Sequence, residues 1–299
     1  MTKRLFCFGL GYTALAFIDH LKEQEKDWHF SGTCRDPGKC QELKKHNIDG
    51  FTFNSEQPEE GDIKAIRQAL KKASHILISI APTKDQADPI LSHFSEDMSK
   101  NLHQNIKWLA YLSTTGVYGD HKGGWVGENT PLTPGTKRGK MRLEAESDWL
   151  KLFQEKGLPV HIFRLGSIYG AGRGQLHSLR KGRLQKLVKP GQYFSRIHVS
   201  DIAHVLFASL NSPHAGRCYN VVDDLPAPSQ EVIDYICDLL HRPHLPEIDF
   251  DNADISPMMK SFYSENKRVC NDRIRQELNV KLLYPTYKEG FSHLIKNIG

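Results

Sequence analysis

The residues best spaced for chemistry lie at the start of the chain, in Gly9-Leu10-Gly11-Tyr12-Thr13-Ala14. This is a Gly-x-Gly-x-x-Ala turn between an apolar run and an amphipathic one. The first glycine permits the tight turn, the second lets a pyrophosphate approach the backbone, and Ala14 allows close helix packing. The helix that begins at Tyr12 and Thr13 then offers N–H groups and a partial positive charge to phosphate. The spacing therefore points to a dinucleotide. Some twenty residues on, Gly32-Thr33-Cys34-Arg35-Asp36 stands where an NAD-binding chain presents a carboxylate to the ribose hydroxyls. Arg35 occupies that place, and a guanidinium there pairs with a 2′-phosphate, which favours NADP. Asp36 keeps NAD open, and a solvated loop is the plain alternative for Arg35.

The elements that must position these residues follow from periodicity. Short apolar runs predict strands over Arg4 to Phe8, His29 to Thr33, Gly50 to Phe53, His75 to Ile80, Lys107 to Leu112 and Val160 to Leu165. Amphipathic stretches predict helices over Tyr12 to Gln24, Asp62 to Lys72, Asp88 to Asn101 and Arg142 to Lys156, the last with Leu143, Ala145, Trp149 and Leu152 near one face. Alternation of this kind predicts an α/β Rossmann fold, a doubly wound parallel sheet whose ligand crevice lies at the carboxyl ends of the strands. Ala81, at the carboxyl end of the fourth strand, counts with Gly9, Gly11, Tyr12, Thr13 and Arg35 among the cofactor contacts. After about Gly172 the elements shorten: a helix over Asp201 to Leu210, a strand over Cys218 to Val222 and a helix over Gln230 to Leu240. The expected organisation is a Rossmann domain over 1–172, with a returning segment about 197–222, and a smaller C-terminal substrate lobe over 173–299.

Net charge is +5, and the excess is local. No acidic residue occurs between Glu155 and Asp201, where Arg164, Arg173, Arg180, Lys181, Arg183, Lys186, Lys189 and Arg196 fall. Such a patch suits a polyanion or a small phosphate-bearing ligand, or is ordinary solvated surface. Nucleic acid is disfavoured, because no helix-turn-helix, RNP or zinc pattern accompanies the charge. The six cysteines are scattered without a Cys-x-x-Cys pair, so neither disulfides nor zinc is expected and a reducing cytoplasm suits them. His241 and His244 lack a partner of suitable spacing for metal. Lys3 and Arg4 ahead of an apolar stretch mimic a secretory signal, but Gly9, Gly11 and Thr13 break the run and make it strand, turn and helix. No stretch approaches a membrane span.

Further motifs carry a family resemblance along nearly the whole chain. Ser113-Thr114-Thr115-Gly116-Val117-Tyr118-Gly119, the acidic and proline-bearing loop Glu128 to Pro134, Arg164-Leu165-Gly166-Ser167-Ile168-Tyr169-Gly170-Ala171-Gly172-Arg173, Arg196-Ile197-His198-Val199-Ser200-Asp201-Ile202-Ala203 and Tyr219-Asn220-Val221 follow in order. Together they resemble the extended and atypical branches of the short-chain dehydrogenase/reductase superfamily, which include NAD-dependent epimerases and dehydratases. The resemblance implies a Tyr-x-x-x-Lys pair, with the Tyr as acid/base and the Lys on the nicotinamide ribose. The corresponding positions hold Arg138 and Arg142. Arg142 still donates to ribose hydroxyls, whereas a guanidinium at Arg138 shuttles no proton at neutral pH. Thr114 stands at the family's catalytic hydroxyl and reads equally as a strand-end cap. Tyr118 and Tyr169 read as packed aromatics, His198 as a proton shuttle or a buried histidine, and Asp201 as a helix cap.

Two functions follow. One is an NADP-dependent oxidoreductase or epimerase-like enzyme on a small anionic substrate such as a sugar nucleotide, gripped by some of Arg173, Arg180, Arg183 and Arg196, with Arg138 stabilising an oxyanion. The other is a protein that binds the dinucleotide without turning it over, as a sensor or scaffold. The resemblance also makes a homodimer unsurprising.

Overall fold

The computed structural model describes residues 2–83, 88–102 and 105–297. Among them the chain forms two compact units, one of residues 1–113, 141–163 and 206–219, the other of 114–140, 164–205 and 220–299.

The first unit is built on strands β1 (Lys3–Phe8), β2 (Trp28–Cys34), β3 (Ile48–Thr52), β4 (His75–Ile78), β5 (Trp108–Thr114), β6 (Val160–Leu165) and β7 (Cys218–Val221), the last three reaching its boundary. They lie in the order β7-β6-β5-β4-β1-β2-β3. β3, β2, β1, β4 and β5 pair in parallel, with Cys7 opposite Gly32 and Leu77. Along β6 and β7, Ile162 N donates to Arg217 O and Gly166 N to Val221 O, so these strands also advance together. The strand order reverses beside β1, the topological switch point at which α/β sheets place ligands.

Helices α1 (Tyr12–Gln24), α2 (Pro37–Lys44), α3 (Glu60–Leu70), α4 (Pro89–Glu96) and α5 (Lys137–Lys156) connect the strands. α1 has the bounds its periodicity predicts. α4 ends earlier than expected and passes into a π-helical turn, Asp97–Leu102. α5 begins five residues before its predicted start, and buries Ala145 and Trp149. The core on this side of the sheet joins them to Phe6, Phe8, Phe53, Ile66, Ile78, Phe94, Tyr111 and Ile162. α2 has no counterpart in the sequence reading. Pro37 at its first position, Asp36 capping Gly38 N at 2.8 Å, and only Cys40 and Leu43 buried give a short helix without a readable apolar stripe.

The second unit contains α6 (Gln175–Arg180), α7 (Val199–Asn211), which crosses its boundary, α8 (Ser229–Leu239), α9 (Pro257–Tyr263), α10 (Asp272–Leu278) and α11 (Tyr287–Lys296). Three two-stranded parallel sheets accompany them: Ser167–Tyr169 with Arg196–His198, Lys186–Val188 with Glu247–Asp249, and Trp125–Val126 with Arg268–Val269. Its core packs Tyr169, Leu176, Val232, Ile233, Ile236, Tyr287 and Phe291 together. Among the described residues no helix is long and apolar enough to cross a membrane.

The cysteine expectation is corrected. Cys34, the last residue of β2, and Cys40, in α2, form a disulfide with Cα atoms 6.2 Å apart. The reversal of the chain between strand and helix brings the two thiols together, a geometry that a spacing of six residues does not announce.

Candidate functional site

In the first unit the glycine turn leaves β1 and enters α1. Gly9 has φ +92°, which favours glycine, and a Cβ there would stand 3.0 Å from Ile80 Cγ1. Gly11 differs. Its φ is −93°, and a Cβ at this position would meet nothing within 4 Å. The protein's own packing does not require a bare residue there, which leaves the space open to a ligand. Gly11 is the N-cap residue of α1 and supplies no side-chain cap; Thr13 and Ala14 behind it are buried and Tyr12 is half-buried. This arrangement fits a pyrophosphate at a helix N-terminus.

β2 holds the turn in place. Gly9 N donates to Thr33 Oγ1 at 2.9 Å and Leu10 N to Thr33 O at 2.7 Å. Beyond Thr33 the chain carries Arg35, which is exposed, and then Lys39, whose Nζ donates to Leu10 O at 2.8 Å. Lys39 is a residue that sequence reasoning missed. Its position is set by α2, and the signal was a second basic residue four places after Arg35. Ala81 lies past β4 and is exposed.

On the carboxyl side of β5, Arg142 Nη1 donates to Leu112 O at 2.6 Å and to Tyr111 Oη at 3.1 Å. The guanidinium also lies over the Tyr111 ring, 5.6 Å from its centroid. Burial holds the Tyr111 hydroxyl well above its ordinary range. Beneath it, Ser113 Oγ donates to buried Glu146 at 2.5 Å, and Trp149 Nε1 to Asp88 Oδ2 at 2.8 Å. Burial likewise raises Asp88. The position that the resemblance gives to a ribose-binding lysine thus carries a cation already anchored to the strand.

In the second unit Thr114 Oγ1 accepts from Gly116 N at 3.1 Å and caps the short 3-10 helix Thr115–Tyr118. Gly139 packs tightly below, where a Cβ would stand 2.8 Å from Gly116 O. Arg138, on α5 one turn before Arg142, is exposed. Tyr118 is the packed aromatic expected: its hydroxyl donates to Asn220 Oδ1 at 2.7 Å and accepts from Arg164 at 3.0 Å. Tyr169 is buried as well, stacked on Phe291 with ring centroids 4.6 Å apart.

The basic segment does not act as one patch. Arg173, Arg180 and Arg183 are exposed. Arg196, unlike these, is buried, and its Nη1 donates to Phe194 O at 2.8 Å and Ala227 O at 2.9 Å. That nitrogen holds backbone carbonyls inside the fold. Lys186 is also buried, between Asp234 at 2.7 Å and Glu247 at 3.0 Å. His198 is buried, with Nδ1 accepting from Ser200 N, and burial lowers its pKa to about 4, so it stays neutral at physiological pH. Asp201 lies inside α7 and does not cap it; its carboxylate accepts from Leu283 N at 2.6 Å and Tyr284 N at 3.2 Å, and burial pushes its pKa up to about 7.

No family model matches the chain. Among curated proteins it is similar to an uncharacterized UDP-glucose epimerase, YtcB, of Bacillus subtilis (strain 168), with 28% identity over 211 residues, or 64% of this chain; the match spans 66% of that relative's length. Among solved structures it is similar to a functionally unknown conserved protein from Silicibacter pomeroyi DSS, at 43% identity over 99% of each chain with a TM-score of 0.86. It is also similar to a dTDP-glucose 4,6-dehydratase from Bacillus anthracis str. Ames in complex with NAD, at 17% identity over 99% of this chain and 96% of that one, with a TM-score of 0.79.

Proposed function

We propose that this chain, which belongs to one family with the Silicibacter pomeroyi protein and shares the fold of the dTDP-glucose 4,6-dehydratase, is a member of the extended short-chain dehydrogenase/reductase superfamily that binds NADP(H) and acts as an oxidoreductase or epimerase-like enzyme. The observation that carries the reading is Gly11: a bare helix-cap residue at the switch point of the sheet, with open space where its side chain would be. Arg35 and Lys39 supply two cations on the segment that follows β2, which suits a 2′-phosphate better than a ribose diol. A bound nicotinamide supplies a hydride donor or acceptor.

The candidate residues of each unit then have separate parts. Gly9, Gly11, Tyr12 and Thr13 accept the pyrophosphate, with Ala81 lining the same carboxyl edge. Arg142 keeps Nη1 on β5 and turns its other nitrogens to the nicotinamide ribose. Thr114 hydrogen-bonds the substrate oxygen, and Arg138 stabilises developing negative charge without moving a proton. The substrate class is a small anionic carbonyl or alcohol, of which sugar nucleotides are the first to test, with Arg173, Arg180 and Arg183 as its exposed cations. A second reading, an NADP(H)-binding sensor without turnover, draws support from the arginines at both positions of the Tyr-x-x-x-Lys pair and from the anchoring of Arg142.

Calorimetric titration with NADPH and then NADH tests the cofactor. NADPH should bind the more tightly. Arg35→Ala should weaken NADPH about 10- to 100-fold, the worth of a charge-assisted hydrogen bond or two, and leave NADH nearly unchanged. Gly11→Val should abolish both while the protein stays folded by circular dichroism, because a Cβ at this position meets nothing within 4 Å. Failure of wild type to bind either nucleotide overturns the proposal. Turnover of sugar nucleotides followed at the nicotinamide absorbance separates the enzyme from the sensor.

A further inference from the structure

The Cys34–Cys40 disulfide closes a ring of seven residues, and the ring encloses the whole segment on which the nucleotide reading places its two cations. Arg35, Asp36, Pro37, Gly38 and Lys39 all lie between the bridged residues. Both ends of the ring are fastened to the sheet. Cys34 O accepts from Phe53 N at 2.9 Å. Cys40 is pressed against β3 so closely that a Cβ on Gly50 would stand 2.8 Å from its Cα. Within the ring, Asp36 Oδ1 accepts from Gly38 N, and Lys39 reaches Leu10 O of the glycine turn. Arg35 to Gly38 are exposed, whereas both cysteines are buried. The bridge lies at the point where strand β2 hands the chain to α2.

We propose that Cys34 and Cys40 are a redox modification site that sets how firmly the Arg35–Lys39 segment grips a 2′-phosphorylated nucleotide. The inference rests on the nucleotide reading above. In the oxidised state the covalent ring holds Arg35 and Lys39 near one geometry before the ligand arrives, so less conformational freedom is lost on binding. In the reduced state the segment keeps the Asp36 cap, the Cys40 N to Asp36 O bond and the Lys39 to Leu10 O bond, without the covalent closure. The chemistry is thiol–disulfide exchange with a dithiol reductant. One of its thiolates attacks a sulfur of the bridge, the Cys34–Cys40 bond breaks, and the second thiolate resolves the mixed disulfide. Two electrons pass to the protein, both cysteines leave as thiols after taking up two protons, and the reductant leaves as its cyclic disulfide. A low-molecular-weight disulfide reverses the exchange.

The test uses the full-length protein, equilibrated with dithiothreitol or with a low-molecular-weight disulfide and then freed of reagent. Peptide mapping under non-reducing conditions reads the bridge, and calorimetry with NADPH and NADH reads affinity in each state. The oxidised protein should contain the 34–40 cross-link and bind NADPH about five- to tenfold more tightly than the reduced protein, the scale expected of preorganisation. NADH affinity should differ by less than about twofold, because it lacks the group that the two cations hold. Cys40→Ser, and separately Cys34→Ala with Cys40→Ala, should bind as the reduced wild type does and ignore the poise; the wild-type comparison needs no variant to fold. A bridge that does not form under oxidant overturns the redox site while NADPH binding persists. Equal NADPH affinity in the two verified states overturns the coupling. Absence of nucleotide binding in both states overturns the cofactor reading, and the coupling with it, and is recognised by the cross-link still forming.

Discussion

At the scale of single residues, the candidate site positions were legible by type but not by role. Arg138 and Arg142 are plain in the sequence as departures from Tyr-x-x-x-Lys, yet nothing local reveals that Arg142 Nη1 is bound to Leu112 O and Tyr111 Oη. That arrangement makes a prediction. Arg142→Ala leaves a part-buried carbonyl and hydroxyl without a donor and should lower the unfolding free energy by about 2 kcal/mol, measured by urea denaturation. It should also weaken NADPH about tenfold if the other nitrogens meet the ribose; a loss of stability with unchanged affinity would make Arg142 a structural residue only. Arg196 teaches the converse. Its membership in a run without acidic residues suggested a ligand grip, but the side chain points into the fold and satisfies Phe194 and Ala227 carbonyls. Charge in a sequence tells how many cations there are and leaves open which side of the surface they take.

At the scale of elements, the strongest periodicities were read well. α1 agrees at both ends, and β6 does too, because each has a boundary written locally: the glycine turn before α1, and flanking Gly157 and Gly166 around β6. α2 was not legible, since two buried residues in eight make no stripe. The small strands of the second unit, two or three residues each, fall below the length at which alternation can be seen. β2 also carries a constraint that pattern alone hides. A Cβ on Gly32 would stand 2.3 Å from Cys7 O and 3.0 Å from Leu10 Cγ, against backbone that cannot yield. Gly32→Ala should therefore destabilise the protein by about 3 kcal/mol, at the upper end of overpacking costs, and should shift the glycine turn. Thermal melting checks the first effect and NADPH titration the second. A neutral substitution would show that β1 and β2 are less rigidly apposed than described.

At the scale of the whole molecule, buried titratable groups set the response to pH. Burial lowers His75, His161 and His198 to about 4, with neighbouring lysines also acting on His75 and His293 on His198. Each is neutral in the folded chain and takes a proton in the unfolded chain below its ordinary value. Their contribution to stability is present above about pH 6.5 and is lost as the pH falls toward 4. Asp201 works in the other direction. Its folded pKa of about 7 lies above the ordinary carboxyl value, so its contribution is full at low pH and is lost as the pH rises through 7. Asp223, raised by burial and opposed by Arg196, has the same sign. The lowered histidines, His204 among them, and the raised carboxyls, Asp62 and Asp88 among them, oppose one another over this range, so single variants are needed to separate them. Replacing Asp201 with Asn should remove the part of the stability loss that accrues between about pH 4 and pH 7, read as a flatter melting temperature over that range; a variant that falls as steeply as wild type would overturn the assignment.

What the sequence by itself determined is whatever depends on neighbours within a turn or two: the glycine turn, the succession of strands and helices, Arg35 after β2, and the arginines at 138 and 142. Short-range sterics and hydrophobic periodicity are enough for these. Only the tertiary structure decided that Gly11 faces open space, that Lys39 reaches the glycine turn, that Cys34 meets Cys40, and that Arg196, Lys186 and His198 are interior. Each of those facts depends on where a side chain is sent by packing between segments distant along the chain, or by the exact reversal of the backbone between β2 and α2, and no residue type or spacing encodes that direction.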